Sequence, residues 1–573
     1  MNALPTPPLP DDQSKVERIK AESRHLRGSI RAELDQDTPV FTEPAAHILK
    51  FHGVYQQEDR DRRAEARARG HAKHHQMMIR TRIPGGLVSP DGYLAHDQIA
   101  GRWGEGSLRI TTRQDFQLHG VLKGDLHAGI RAINDALMTT LGGCGDQQRN
   151  IMCCPAPERD ELRTQARSFV AGLVGALTPR TRAYHEIWID GELAADSQPA
   201  DEVEDLYGDT YLPRKFKTGL AVEGDNCVDV LSNDLALVAL EGPDGRLAGV
   251  NVFVGGGLGR TANKPESFPA VAVGLGFVPA VEVVSVSRAI VMAQRDHGDR
   301  VNRRHARLKY LIHDRGIDWF RREVEARAGF QLEPVRDMRP LKLHDHLGWH
   351  EQGDNLLYLG VFVENGRVKD EGRLRLRSGL RQIVESFRPA IHLTAQQNVL
   401  LSGFTPDQRP AVEAILAAHG IALDGALSNS LRNSMACPAL PTCGLAVAES
   451  ERVLPRLIRE IESLVAGLGL AQEQISFRMT GCPNGCARPY LGDVGFVGTT
   501  LGKYDVFLGG DFDGTRLNEL YAHNVPLTEI PDLLASPLAA FRDERVAGER
   551  FGDWCWRAGV GQLRDRFLVG VPA

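Results

Sequence analysis

Four cysteines in two close pairs are the residues best equipped for chemistry: Cys437 and Cys443 in NSMACPALPTC, Cys482 and Cys486 in MTGCPNGCARP. The spacing is C-x5-C, a long interval, then C-x3-C. Soft thiolates in such an arrangement can converge on one metal centre, either zinc or an iron–sulfur cluster. Structural zinc sites usually separate paired cysteines by about two to four residues, so these intervals lean towards iron–sulfur. Pro438, Pro441, Gly481, Pro483, Gly485 and Pro489 interrupt regular structure around the thiols. They leave backbone amides free to hydrogen-bond cluster sulfurs and tune their potential.

A second chemical signal is basic. In Arg214-Lys215-Phe216-Lys217 an extended chain puts both lysines on one face and Phe216 on the other. Two adjacent ammoniums repel, and an anion between them relieves the repulsion. Arg80 and Arg82 share one face of a strand that the Pro84-Gly85-Gly86 turn ends. Arg109, Arg113, Gln117 and His119 crowd a period-two strand pair after a helical stretch at 92–102. Guanidinium forks and amides on one face suit a highly carboxylated ligand.

These residues must be positioned by a duplicated scaffold. Leu108-x-Ile110-Thr111-x-x-Gln114-x-x-x-Leu118-x-Gly120 recurs as Ile391-x-Leu393-Thr394-x-x-Gln397-x-x-x-Leu401-x-Gly403, and Val252–Gly256 is echoed at Val506–Gly510. The pattern predicts two early arms, 78–143 and 345–424, pairing into one domain across about 200 intervening residues. Two later α/β domains follow, 144–344 with the lysines and 425–573 with the cysteines. Residues 1–77 read as an N-terminal extension, partly disordered and available for partner contact, with a helix over 15–34. HEIWIDGEL reads as strand-rich.

Composition excludes several classes. A net charge of −6 argues against a nucleic-acid binder, and no apolar run reaches membrane-span length. The N-terminus has no apolar core and predicts no secretory signal. Cys144, Cys153, Cys154, Cys227 and Cys555 show no disulfide rhythm and read as small buried hydrophobes of a reduced, cytoplasmic protein. GGGLGR at Gly255 fails the dinucleotide fingerprint, since Arg260 stands at the third glycine position. His344 to His350, HDHLGWH, resembles a metal-ligand run but reads as a domain-crossing loop, with no cysteine or carboxylate completing a metal spacing.

N-S-x-x-C-x5-C with T-G-C-P-N-G-C resembles the signature of the sirohaem and [4Fe–4S] sulfite and nitrite reductases. The likeness runs from HLRGSI to FGDW and is nearest to haemoprotein (beta) components of NADPH-dependent assimilatory sulfite reductases. It implies an α+β, three-domain fold with pseudo-twofold duplication around the cofactors. It implies that Cys437, Cys443, Cys482 and Cys486 hold one [4Fe–4S] cluster and that Cys486 is also axial to the sirohaem iron. YLPRKFKT, MIRTR and QQRNIMC resemble the segments supplying active-site lysines and arginines, here Lys215, Lys217, Arg80 and Arg149. Thr112, Arg113, Gln114, Gln117, His119, Gln396, Gln397 and Asn433 are the candidate sirohaem contacts, from the resemblance and the repeat together.

The activity so implied is six-electron reduction of sulfite to sulfide for cysteine biosynthesis. The chain shows no flavin or nicotinamide motif, so the resemblance implies a diflavin (FAD/FMN) NADPH-dependent reductase subunit as electron donor, with ferredoxin as the alternative. A ferredoxin-dependent sulfite or nitrite reductase is the near rival, and a non-enzymatic zinc-binding module the distant one.

Overall fold

Each of the first two sheets borrows an edge strand from the other arm of the chain. In the computed structural model, which describes residues 12–568 apart from 182, 184–187, 190–191, 194–203, 263 and 265, strands and helices mix in an α+β fold. The first sheet runs Val54–Glu58, His75–Arg80, Phe116–Val121, Leu108–Ile110 and then Arg367–Val368. The second runs Gly348–Glu351, Leu357–Val361, Val399–Phe404, Ala390–Leu393 and then Leu87–Val88. The two arms share one core, in which Ile79 and Leu118 cluster with Ile391 and Leu401. The helix Leu376–Phe387 covers it by burying Leu376, Gly379, Leu380, Ile383 and Val384, a stripe at helical period.

The exchange turns on two glycines. Gly86 and Gly366 end matching turns at φ +77° and +74°, and a Cβ there would lie 2.4 Å from the Leu393 carbonyl and 2.2 Å from that of Ile110. Only glycine lets the chain cross at these points. Beside them, Gln114 donates through Nε2 to the Leu393 oxygen at 2.9 Å, and Gln397 points its Nε2 at the Ile110 oxygen at 3.5 Å. Leu393 and Ile110 occupy equivalent places in the sequence repeat, so the two glutamines reach across a pseudo-twofold axis.

The third and fourth sheets repeat one topology. Met152–Cys153, Thr218–Val222 and Leu235–Glu241 are parallel, and Leu247–Val254 and Val273–Pro279 continue antiparallel. Ser434–Ala436, Phe477–Thr480, Val494–Thr500, Lys503–Leu508 and Glu519–Pro526 do the same. The Leu235–Glu241 strand, LALVALE, is buried on both faces and reads as an unbroken apolar run, as parallel neighbours require.

The stretch read as an N-terminal extension is largely built into the body. Val54–Glu58 pairs with His75–Arg80 in the first sheet, so that sheet begins before residue 78. The single helix expected over 15–34 is two, Lys15–Ala21 and Ile30–Leu34, separated by Arg24, His25 and Leu26 with φ of 52°, 54° and 73°. That break turns Leu26 into the core of the third sheet beside Ile19 and Phe51, a long-range contact that local periodicity cannot report. Of the first 15 or so residues, expected to be disordered, 1–11 lie outside the described residues, as does most of HEIWIDGEL, of which Trp188–Ile189 and Glu192–Leu193 pair antiparallel. No helix among the described residues is long and apolar enough to cross a membrane.

Candidate active site

Cys437 leaves the end of the Ser434–Ala436 strand, and the parallel neighbour Phe477–Thr480 delivers Cys482 and Cys486 from the same end. The Cys437 amide donates to the Met479 carbonyl at 3.2 Å, closing the two strand ends together. Gly481 then directs its amide at Cys437 Sγ at 3.4 Å, and the Asn484 side-chain amide lies 3.4 Å from Cys482 Sγ. Gly485 takes φ +66°, in a loop pressed against the Leu258 carbonyl and the Tyr490 ring. The Gly481 amide is a backbone donor of the kind the broken local structure was expected to leave, and the Asn484 donor is a side chain.

The four thiols form one electrostatic neighbourhood. Burial first, then the neighbouring sulfurs Cys486 and Cys443, pushes the Cys482 thiol up to about 11, and Cys437 rises further for the same reasons. Among the described residues, the group of histidine, cysteine and carboxylate ligand atoms lying within 4.8 Å of one another is a different one. Among the described residues, no three of these four sulfurs gather within that distance, whereas a tetrahedral zinc puts thiolates about 3.8 Å from each other. Four thiols brought to the ends of two neighbouring strands suit a cubane, whose four corners each take one thiolate.

Next to Cys486 opens a cleft lined by Thr112, Arg113, Lys215, Lys217, Arg307 and Arg488, with Cys486 itself in its wall. Phe216 is buried in the core, and the lysines on either side of it face the cleft, as the alternation predicts. Lys217 is anchored through its amide, which donates to Asp234 Oδ2 at 3.0 Å, and Arg307 holds the same carboxylate at 2.6 Å. Among the described residues neither ammonium makes a carboxylate pair. Burial, then the charges of Arg149, Arg214 and Arg307, pushes Lys215 down to about 7. Burial, then Arg113 and Lys215, holds Lys217 well below the ordinary lysine value. The cleft is a buried excess of positive charge that an anion would satisfy.

The first sheet adds a transverse row. Arg80 pairs in register with Gln117, Gln117 with Arg109, and Arg109 with Arg367, so these four side chains share one face. His119, two residues along, lies on the same face with both ring nitrogens buried and without a partner among the described residues. Burial, then Arg367, Arg109 and Arg80, keeps its imidazole neutral. Arg113 Nε is likewise buried and unpartnered. Unsatisfied buried donors beside an arginine row fit a carboxylate-rich macrocycle, because each would otherwise cost about 1–3 kcal/mol. Arg109 ties this face to the cysteines by donating to the Ala436 carbonyl at 2.9 Å.

Of the other expected contacts, the three glutamines and Asn433 hydrogen-bond within the protein. Gln114 and Gln397 join the arms, and Gln396 donates to the Cys227 carbonyl. Asn433 ends the Asn429–Arg432 helix, donating to the Asn429 carbonyl at 2.8 Å. Thr112 reaches the Cys486 carbonyl at 2.9 Å. Arg80 donates to Cys144 Sγ at 2.9 Å, and Arg149 lies in the same field of Cys144 and Tyr55.

Sequence reasoning missed Tyr55, Cys144 and Arg307. Burial, then Cys144, pushes the Tyr55 phenol up to about 12. Cys144 sits in a Gly-Gly-Cys-Gly turn that gave no chemical signal on its own. The glycine-rich run dismissed as a nucleotide loop also belongs here, since Leu258 and Gly259 line the cleft and Arg260 donates its amide to the Pro483 carbonyl at 3.0 Å.

Comparison with known proteins places this site in a context. Residues 174–332 and 428–569 match the family described as the nitrite and sulphite reductase 4Fe-4S domain. Residues 69–136 and 350–419 match the nitrite/sulfite reductase ferredoxin-like half domain. A sulfite reductase [ferredoxin] of Synechococcus elongatus is 45% identical over 572 residues, covering 97% of this chain and 91% of that protein. A sulfite reductase [NADPH] hemoprotein beta-component of Geobacillus kaustophilus is 44% identical, covering 96% of each chain. The solved structure of the Mycobacterium tuberculosis NirA protein superposes with a TM-score of 0.78 at 24% identity, over 96% of this chain and 97% of that one, which supports the fold.

Proposed function

The chain belongs to the nitrite and sulphite reductase family, and from that premise we propose that it is an assimilatory sulfite reductase haemoprotein reducing sulfite to sulfide. When bound, sirohaem and the [4Fe–4S] cluster supply the iron that takes the substrate and the electrons that reduce it. Cys437, Cys443, Cys482 and Cys486 would hold the cluster, and Cys486, in the cleft wall, would be the thiolate nearest the haem. Thr112, Arg113, Gln117 and His119 would hold the macrocycle from the first sheet. The observation carrying this reading is the pair of unpaired lysines in the wall that contains Cys486.

Sulfite brings negative oxygens that must leave as water. Lys215 and Lys217 can bind those oxygens and release protons to them, because burial and neighbouring cations loosen both protons, that of Lys215 into the neutral range. Arg80 and Arg149 keep their charge and serve to bind and orient the anion. Conversion of sulfite needs six electrons and a matching supply of protons, so a donor that is itself deprotonated near pH 7 can be recharged from water between steps.

Electrons come from a second protein, for which we take a diflavin NADPH-dependent reductase subunit in the cytoplasm. The Synechococcus relative favours ferredoxin as the other donor. Sulfide release from sulfite by the purified, coloured protein with a reduced artificial donor tests the reaction; parallel rates on nitrite fix the substrate. Replacing that donor with the flavoprotein or with ferredoxin identifies the partner. A colourless protein, or one that turns over nitrite and leaves sulfite untouched, refutes the assignment.

A further inference from the structure

The third and fourth sheets can be aligned residue by residue from their strand registers. Met152 pairs with Gly219 as Met435 pairs with Arg478, and Thr218 pairs with Leu235 as Phe477 pairs with Val494. Counting on from these anchors puts Cys154 at the place of Cys437 and Cys227 at the place of Cys486. Asp229 and Arg488 then correspond, and both take left-handed φ, 46° and 54°, before a short 3-10 turn. The first half of the duplication thus keeps two thiols where the second half carries its cluster ligands.

Those two thiols are not alone. Cys154 Sγ, Asp225 Oδ2, Cys227 Sγ and His346 Nε2 are all buried, and the ligand atoms of the four residues lie within 4.8 Å of one another. Cys154 Sγ stands 3.0 Å from Asp225 Oδ2 and 3.9 Å from His346 Nε2, and His346 Nε2 stands 3.5 Å from Asp225 Oδ2. Around a tetrahedral zinc, ordinary bond lengths place sulfur about 3.6 Å from nitrogen or oxygen, and nitrogen about 3.3 Å from oxygen. The observed edges bracket those values. His346, the middle histidine of HDHLGWH, sits at φ 55°, a conformation rare for a residue with a side chain. The two cysteines and the carboxylate that complete the set are supplied in space by two distant loops.

The surroundings suit a metal. The second Asp225 oxygen accepts the Cys227 amide at 2.9 Å, fixing the carboxylate's orientation. Arg163 Nη2 lies 3.6 Å from Asp225 Oδ2. Two thiolates and a carboxylate carry three negative charges, which a divalent ion and this guanidinium balance. Arg432 clasps Asp345 at 2.8 Å, holding the crossing segment that carries His346.

We propose that Cys154, Asp225, Cys227 and His346 bind one structural zinc ion, the single-ion counterpart of the iron–sulfur centre in the other half. Four protein ligands close the coordination sphere, so the ion has no open position for substrate. It pins the segment leading into the second ferredoxin-like arm to the 223–233 loop, whose Ser232 lines the cleft and whose Asn233 accepts from Arg113 at 2.9 Å.

The test is elemental analysis and zinc-edge X-ray absorption on the full-length protein with its iron centres intact, grown with zinc. One zinc per chain, with a mixed shell of sulfur and lighter atoms, is expected. Cys227→Ser and His346→Ala should lose zinc while keeping iron and the visible bands; Cys437→Ser should lose iron and keep zinc. Wild-type protein with full iron and no stoichiometric zinc overturns the proposal. So does a Cys154–Cys227 disulfide in peptide mapping, or zinc that survives in the Cys154→Ser/His346→Ala double variant. Should the variants fail to fold, the wild-type zinc count and absorption edge still decide.

Discussion

The two halves of the duplication share a backbone plan and differ in what they place at equivalent points. After its parallel strands the second half presents four thiols, with Cys486 exposed beside the cleft. The first half presents two thiols, a carboxylate and a borrowed histidine, tightly gathered and buried, and sends its lysines to the cleft instead. Where Arg488 stands in one half, Asp229 stands in the other, and the two meet at 2.5 Å, with Arg478 on the same carboxylate at 2.8 Å. Duplication supplies symmetric positions, and substitution at those positions gives the halves different chemistry, with a thiol at the cleft in one and lysines in the other. Thiolates that hold an iron–sulfur cluster beside a cleft can exchange electrons, whereas a zinc ion closed in by four protein ligands has no redox chemistry and can only hold structure.

The sharpest way to break this comparison is Cys486→Ser. It should abolish sulfide production and strip or alter the cluster, read as iron content and visible spectrum, while zinc in the other half stays put. Simultaneous loss of both metals would mean the halves are not independent.

Lys217→Met should come next, lowering turnover by about 10²- to 10³-fold, as expected for removing a positioned proton donor. Iron content and spectrum should hold. Unchanged sulfite reduction by this variant would remove the lysines from the mechanism.

A subtler effect concerns pH. Lys215 is pushed down to about 7, so it is an ammonium below that pH and loses its proton as pH rises through it. Turnover should decline on the alkaline side of about 7, and Lys215→Arg, which keeps its charge, should remove that limb at a lower plateau rate. An alkaline limb identical in the variant would place the titration elsewhere.

The smallest change in activity is expected from Asp229→Asn, which leaves two buried guanidiniums without their carboxylate. Stability to denaturant should fall by about 3–5 kcal/mol, with activity per folded molecule little altered. A loss within error would show that the halves are held by apolar packing alone.

Much of this was legible in the chain. The thiol spacing, the alternation around Phe216 and the internal repeat are short-range patterns, and each survives folding because it depends on few neighbours. The sites read as isolated features were less legible. Gln114 and Gln397 look like equivalent ligand contacts, yet their amides span the pseudo-twofold axis, since a repeat reports equivalence without reporting what faces it. Cys154 and Cys227 read as small hydrophobes, and His346 as part of a loop, because residues 73 and 119 positions apart show no spacing to recognise. Arg307 and Tyr55 reach the site from segments with no motif at all.

By itself the sequence determined the metal-binding chemistry of the last third, the duplicated scaffold and the basic character of the pocket, since residue type and local period encode those directly. Tertiary structure alone decided which arm lends which strand, which polar groups stay unsatisfied around the cleft, and which thiols close on one another. Those outcomes depend on contacts between segments far apart in the chain, where glycine crossings and strand register, rather than composition, set the distances.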